Sequence, residues 1–312
     1  MSTPTQSAVV MYGKPVAEEI DARVRAGVAE FKARHQAAPS LAIVQVGMNA
    51  ASERYIRKKI ESCARLEMKA ELHLFDEQIS GDALRKEVAR LDRSPRFHGI
   101  LVQLPLPRHI EEATSGANKF DVFDAISPAK DVDGIGREAA TDLYRAQQSR
   151  MRFLPATALA VRRMMAYYKV ETEGKLAVVI GRNDITAKPV VLMLGGRMCN
   201  AAALWIHRYV SPAEQALLIR SADIVVTSVG STQFVITGDM LQPRAVVFDI
   251  ATRVDEQGKL NGDVDFESAR QVASFITPVP RGIGPVTVAA LNENLLRAAR
   301  FSAGEDAFGY TF

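Results

Sequence analysis

The sequence predicts an α/β protein of two domains, each a parallel sheet covered by helices. Three observations carry this expectation. At 312 residues the chain exceeds what one hydrophobic core usually covers. Short runs rich in β-branched residues alternate with amphipathic segments of helical period, the pattern of β-α-β units. Several of those runs are apolar almost throughout, as strands buried on both faces require. With 47% apolar and 24% charged residues, the composition is that of a globular chain rather than a disordered one.

Taken in order, Pro15–His35 reads as a helix, Leu41–Gly47 (LAIVQVG) as a strand and Ser52–Leu66 as a helix. Ala70–Phe75 is the next strand, Gly81–Leu91 the next helix, and Gly99–Leu104 (GILVQL) the strand after it. Pro105 and Pro107 stop that last strand, since proline has no N–H for a ladder. Gln103 then sits at its carboxyl end, where open α/β sheets hold ligands. From Lys130 to Arg152 the alternation pauses in a polar stretch with a DVDG turn and no clean strand, and the domain junction is expected there. Pro155–Tyr168 restarts the pattern as a helix. Leu176–Gly181, Ala201–Ile206, Ile224–Gly230, Ala245–Ile250 and Ala273–Thr277 follow as strands. The segment PVPRGIGP leads into a closing apolar helix, Val286–Arg300, that returns to the first domain. The expected boundaries are residues 1–152 with 286–312 for the first domain and 153–285 for the second.

Charge and cysteine usage exclude several classes. The net charge of +3, from 39 basic and 36 acidic side chains, is too balanced for a dedicated nucleic-acid binder. No stretch approaches the roughly 20 apolar residues of a membrane span. The opening MSTPTQSAVVMYGK lacks a basic region followed by an apolar block, so no secretory leader is expected. Cys63 and Cys199 stand far apart in no ligand spacing, and the five histidines form no cluster with them. A cytoplasmic protein without a metal site is expected.

Ser52, Tyr55 and Lys59 lie at i, i+3 and i+7 on one predicted helix, which puts Tyr55 and Lys59 one turn apart on one face. Asp131 and Asp133 in KDVDG lie on a turn closed by Gly134. Each feature alone is commonplace, because a Tyr and a Lys on a charged helix are most often a solvated face. Their order and separation are more specific. SERYIRKK, HGILVQLPLPRHI, ISPAKDVDG and TPVPRGIGPVTVA together resemble the substrate-site motifs of the bifunctional methylenetetrahydrofolate dehydrogenase/cyclohydrolase family, over nearly the whole chain.

That resemblance implies a folate-binding first domain and a Rossmann-type second domain. It implies Lys59 as the central acid/base group, Gln103 as its hydrogen-bond partner, and Asp133 on the amino-pyrimidine edge of the pterin. Tyr55 would stack on the p-aminobenzoyl ring, and Ser52 would fix local geometry. The chemistry suits these types. A desolvated lysine has its pKa lowered and can exchange protons near neutrality. A carboxylate matches a guanidine-like edge with paired, charge-assisted bonds. The resemblance also implies a homodimer formed through the dinucleotide domains.

On the dinucleotide side, LAVVIGRNDITAKP is a strand, a glycine turn and a helix start, where a pyrophosphate meets backbone N–H groups. The family reads G-R-S-x-x-V-G-x-P; here Gly181, Arg182 and Pro189 are kept, while Asn183, Thr186 and Ala187 replace serine, valine and glycine. One strand on, ALWIHRY offers His207, Arg208 and Tyr209 but no ribose-binding acid. With Arg182 and Arg208 available for a 2′-phosphate, NADP is expected over NAD. The family's D-x-G-I-N becomes Asp249–Arg253, with Ala251 and Thr252 at its center and Thr252 a candidate cofactor contact. Its P-G-G-x-G-P becomes Pro280–Pro285, with Arg281 in place of glycine. The side chains at Ala251 and Arg281 are expected to crowd the cofactor.

Three readings follow. In the first, NADP-dependent oxidation of 5,10-methylenetetrahydrofolate is followed by hydrolysis of the methenyl product to 10-formyltetrahydrofolate. The second is a cyclohydrolase alone, motivated by the substitutions on the dinucleotide side. The third is a folate-binding paralogue without turnover, which leaves the lysine–glutamine pair without a purpose.

Overall fold

The computed structural model describes residues 7–145, 151–255 and 257–312. Part of the segment read for a leader, residues 1–6, and residues 146–150 of the expected junction lie outside the described residues.

In chain order, β1 (Val9–Val10) leads into α1 (Gly13–His35), β2 (Ser40–Val46), α2 (Ala50–Arg65), β3 (Lys69–Phe75), α3 (Gly81–Arg93) and β4 (Gly99–Val102). Three short helices follow: α4 (Arg108–Glu111), α5 (Lys119–Phe123) and α6 (Arg137–Arg145). The second half runs α7 (Ala156–Tyr167), β5 (Leu176–Ile180), α8 (Ala187–Gly195), β6 (Ala202–Ile206), α9 (Pro212–Ser221), β7 (Ile224–Thr227) and β8 (Val246–Asp249). A small hairpin, β9 (Arg253–Val254) with β10 (Leu260–Asn261), precedes α10 (Phe266–Ala269), β11 (Phe275–Ile276) and α11 (Ile283–Ser302).

Two parallel sheets result, in orders β3-β2-β4 and β1-β11-β8-β7-β5-β6. The central β2 is buried at every residue, which explains why it reads as an unbroken apolar run. One core cluster spans both sheets, joining Leu41 and Ile43 of β2 to Val179 of β5 and Phe248 of β8 through α1, α7 and α11. Separate clusters fill the other face of each sheet.

Three differences from the sequence reading bear on how the sheets meet. β1 pairs with β11 on the second sheet, although its residues fall within the expected first domain. The Val9 N–H finds Ser274 O at 2.8 Å and the Met11 N–H finds Ile276 O at 2.8 Å, so an exposed edge supplies the bonds that the short strand needs. Next, the polar stretch after Lys130 contains a helix, α6. Its Ala139 and Leu143 are buried, its first N–H is capped by Asp124 at 2.9 Å, and it packs on α8. Finally, β7 stops at Thr227 rather than Gly230. The fully buried Asp263 accepts from Thr227 Oγ1 (2.6 Å), the Val229 N–H (2.7 Å) and the Gly230 N–H (2.9 Å), which diverts those donors from the ladder.

Candidate active site

The N-terminal end of α2 is set by Asn49, whose Oδ1 accepts from the Ser52 N–H at 3.1 Å. Ile56 and Cys63 bury against the core, and this face fixes the helix so that Lys59 turns toward the end of β4. Lys59 Nζ donates to Gln103 Oε1 at 2.9 Å. The amide of Gln103 has one orientation open to it, because its Nε2 donates to Leu104 O at 2.7 Å. Ser52 Oγ donates to the same carbonyl at 3.4 Å, so the three sequence-expected residues meet around Leu104, whose bond to Pro105 is cis. Tyr55, one turn before Lys59, keeps 37% of its surface exposed, with Lys58 Nζ 5.9 Å from its ring centroid.

The two aspartates of the DVDG turn are separated in role. Asp131 is buried and accepts the N–H groups of Gly134, Ile135 and Gly136 at 3.1, 3.2 and 2.8 Å. Burial pushes its carboxyl up to about 6, against those bonds. Asp133 instead shares the field of Lys59. Burial raises the Asp133 carboxyl and lowers the Lys59 ammonium, and the attraction between the two opposes both shifts. Gly134 has φ +66°, and a Cβ there would stand 2.9 Å from the Pro155 nitrogen, so only glycine lets the turn meet the chain entering α7. Behind it, buried Asn294 of α11 donates to Val132 O (2.8 Å) and Leu154 O (3.1 Å).

On the second sheet, β5 gives way to Gly181 with φ +135°, and a Cβ there would stand 2.6 Å from Ser228 O. The bare backbone there, followed by the start of α8 at Ala187, is a cradle that an anionic group fits. Ala187 is fully buried within the core, which accounts for an alanine in place of the family glycine. Arg182 and Arg208 converge on Tyr209. Their guanidinium carbons lie 5.5 and 5.1 Å from its ring centroid, and Arg208 Nη2 donates to Tyr209 Oη at 3.2 Å. Among the described residues neither arginine has a carboxylate partner, and together they hold the phenol below its ordinary pKa, Arg208 chiefly. Two unpaired cations beside the glycine turn suit a phosphate-bearing dinucleotide.

Other expected contacts are placed differently from one another. Asn183 is exposed; its Oδ1 accepts from the Ile185 N–H at 2.9 Å, which leaves the amide nitrogen as the donor an anionic ligand can use. Thr252 is exposed on the loop after β8, its carbonyl near Gly230, and it joins neither arginine. Ala251 is buried, and the Arg281 guanidinium lies 5.9 Å from the Tyr12 ring. Sequence reasoning missed Trp205, whose Nε1 donates to Gly181 O at 2.5 Å and ties β6 to the glycine turn. It also missed Asp263, which shapes the loop facing that turn. A lone indole and an isolated aspartate leave no spacing signal.

Such a pairing of a half-buried lysine with a glycine turn suited to a dinucleotide points to a two-domain, dinucleotide-using enzyme. The chain belongs to the tetrahydrofolate dehydrogenase/cyclohydrolase family: residues 11–133 match its catalytic domain and 155–303 its NAD(P)-binding domain. It is 39% identical over 294 residues to the bifunctional protein FolD of Acidovorax ebreus, covering 94% of this chain and 99% of that protein. The FolD of Streptococcus thermophilus is 35% identical, with 94% and 98% covered. Among solved structures, the Trypanosoma brucei dehydrogenase-cyclohydrolase, in complex with NADP and an inhibitor, superposes with TM-score 0.87 at 32% identity, covering 96% of this chain and 99% of that one. The Campylobacter jejuni FolD enzyme superposes with TM-score 0.86 at 31% identity, with 95% and 99% covered.

Proposed function

We infer that this protein oxidises 5,10-methylenetetrahydrofolate with NADP and hydrolyses the methenyl product to 10-formyltetrahydrofolate. The observation that carries this reading is Lys59, half-buried, hydrogen-bonded to an orientation-locked Gln103 and balanced against Asp133. A lysine so desolvated gives up its proton more readily than one in water. It can take a proton from attacking water and return it to the departing nitrogen. Gln103 accepts from Lys59 in either protonation state and keeps Nζ in place through the cycle. Asp133 is proposed to bind the amino-pyrimidine edge, and Tyr55 to stack on the p-aminobenzoyl ring. Ser52 positions the Leu104 carbonyl beside them.

When bound, NADP supplies the hydride acceptor. Gly181, Arg182 and the amide of Asn183 are proposed to hold its pyrophosphate side, Arg208 its 2′-phosphate, and Thr252 the opposite wall. Dimerisation is proposed through β6. That strand closes the sheet order with one edge unpaired, and Leu204 and Trp205 stand 39% and 41% exposed on it. No helix among the described residues is long and apolar enough to cross a membrane. A cytoplasmic location is proposed with this reading, and the free thiols of Cys63 and Cys199, in no disulfide, fit a reducing compartment.

The test is a time-resolved absorbance spectrum of the protein with 5,10-methylenetetrahydrofolate and NADP, repeated with NAD. Reduced cofactor should form with a transient methenyl band, faster with NADP. Lys59→Met should slow hydrolysis of supplied methenyltetrahydrofolate by about a hundredfold or more. Absence of reduced cofactor, with hydrolysis intact, would leave a cyclohydrolase alone.

A further inference from the structure

The turn between β5 and α8 carries an acid, Asp184, in a place that is to receive a pyrophosphate. Left alone, that carboxylate would repel the ligand. It is not left alone. Lys188, the second residue of α8, bonds its Oδ1, and Lys119 Nζ stands 2.9 Å from its Oδ2. Lys119 does not belong to this sheet. It is the first residue of α5, which packs on α3 beside the first sheet, and α5 is held there by an Asn118–Asp121 capping box. Both ends of the cross-unit pair are largely shielded, Lys119 at 20% and Asp184 at 25% side-chain exposure. A pair so shielded is screened less than a surface ion pair. The two lysines hold Asp184 below the usual carboxylate range against the opposing effect of burial.

The rest of the turn shows what this pair restrains. The Asn183 side chain closes on the Ile185 N–H, Thr186 bonds Ser228 at 2.7 Å, and the Gly181 carbonyl is taken by Trp205. These bonds all lie within the second sheet's unit. Among the described residues, Lys119–Asp184 is the ion pair that references the turn to the folate side, beside the apolar packing of α6 on α8. Hydride transfer demands that two ligands, each held by a different sheet, meet within contact distance, and small misplacement is costly.

We propose that Lys119 is a positioning residue for the dehydrogenase step: through Asp184 it fixes the dinucleotide turn relative to the folate unit. This rests on the assignment of the Gly181–Thr186 turn to NADP. Hydrolysis of methenyltetrahydrofolate needs no dinucleotide and is independent of the latch.

The chain has a single tryptophan, Trp205, bonded to this turn, so its fluorescence, read beside sedimentation because β6 is also the proposed dimer edge, reports the turn without cofactor or turnover. Lys119→Met, Asp184→Asn, their double variant and the exchanged pair Lys119→Asp/Asp184→Lys are compared with the parent protein. Each single variant should lower kcat/KM for NADP by about fivefold and increase acrylamide quenching of Trp205. The double variant should be no worse than either single one, the exchanged pair should recover part of the loss, and methenyl hydrolysis should stay within about twofold of the parent throughout. Unchanged NADP kinetics in Lys119→Met overturns the proposal. So does an Asp184→Asn variant that uses NADP better than the parent, which would reduce Lys119 to a through-space charge. Equal loss of both activities also overturns it, as a general effect on folding. A parent protein that neither binds nor reduces NADP overturns the cofactor assignment itself, an outcome distinct from the others.

Discussion

Lys59 and Arg281 show how much one residue's surroundings decide. Burial lowers the Lys59 pKa, with Asp133 pulling the other way. Methenyl hydrolysis should therefore rise with pH through that lowered pKa as the base form accumulates. Gln103→Glu places a negative charge beside the ammonium, stabilises it and raises its pKa. The rise should move to higher pH, measured after subtraction of the uncatalysed rate; a profile that stays in place would remove Lys59 from proton transfer. Arg281 holds φ +86°, a region where glycine rests without strain and a side chain does not. Arg281→Gly should stabilise the protein by about 1 kcal/mol in urea unfolding, since relief of left-handed strain outweighs the added backbone freedom. A loss of stability would mean that the guanidinium near Tyr12 contributes more than the backbone conformation costs.

Among the elements, legibility followed how local the cause was. β2 and β5 were readable because burial on both faces writes a continuous apolar run. The stop after β4 is readable because Pro105 and Pro107 cannot continue a ladder, although the strand closes at Val102, two residues before the expected Leu104. Within the site, the i, i+3, i+7 spacing puts Ser52, Tyr55 and Lys59 on α2, and the structure carries Lys59 onto Gln103. The early end of β7 was not readable, because its cause is a carboxylate on a remote loop. α9 was omitted although its start is written locally: Ser211 and Glu214 form a capping box around Pro212. The segment after α11 was also silent in sequence. There Tyr310 Oη accepts from the Leu154 N–H at 2.8 Å and donates to Asn294 Oδ1 at 2.7 Å, closing the network behind the Val132–Gly134 turn. Tyr310→Phe leaves a buried N–H without that partner and should cost about 1–3 kcal/mol. Urea unfolding checks this, and an unchanged midpoint would show that the hydroxyl is dispensable.

At the scale of the molecule, assembly is proposed through the sheet edge at β6. Leu204→Arg puts a charge on the exposed apolar strand and should shift the protein from dimer to monomer in sedimentation, with methenyl hydrolysis retained. A variant that stays dimeric would move the interface elsewhere. The two sheets themselves are not separable pieces. Among the described residues, β1, the first strand, is an edge of the second sheet, and α11, the last helix, packs on α1, α2, β2 and β4. Synthesis proceeds in one direction, so the inner face of the first sheet leaves the ribosome long before the helix that covers it. A nascent chain halted ahead of Ile283 holds apolar surface that nothing yet shields, and chaperones or proteases meet that surface until α11 emerges.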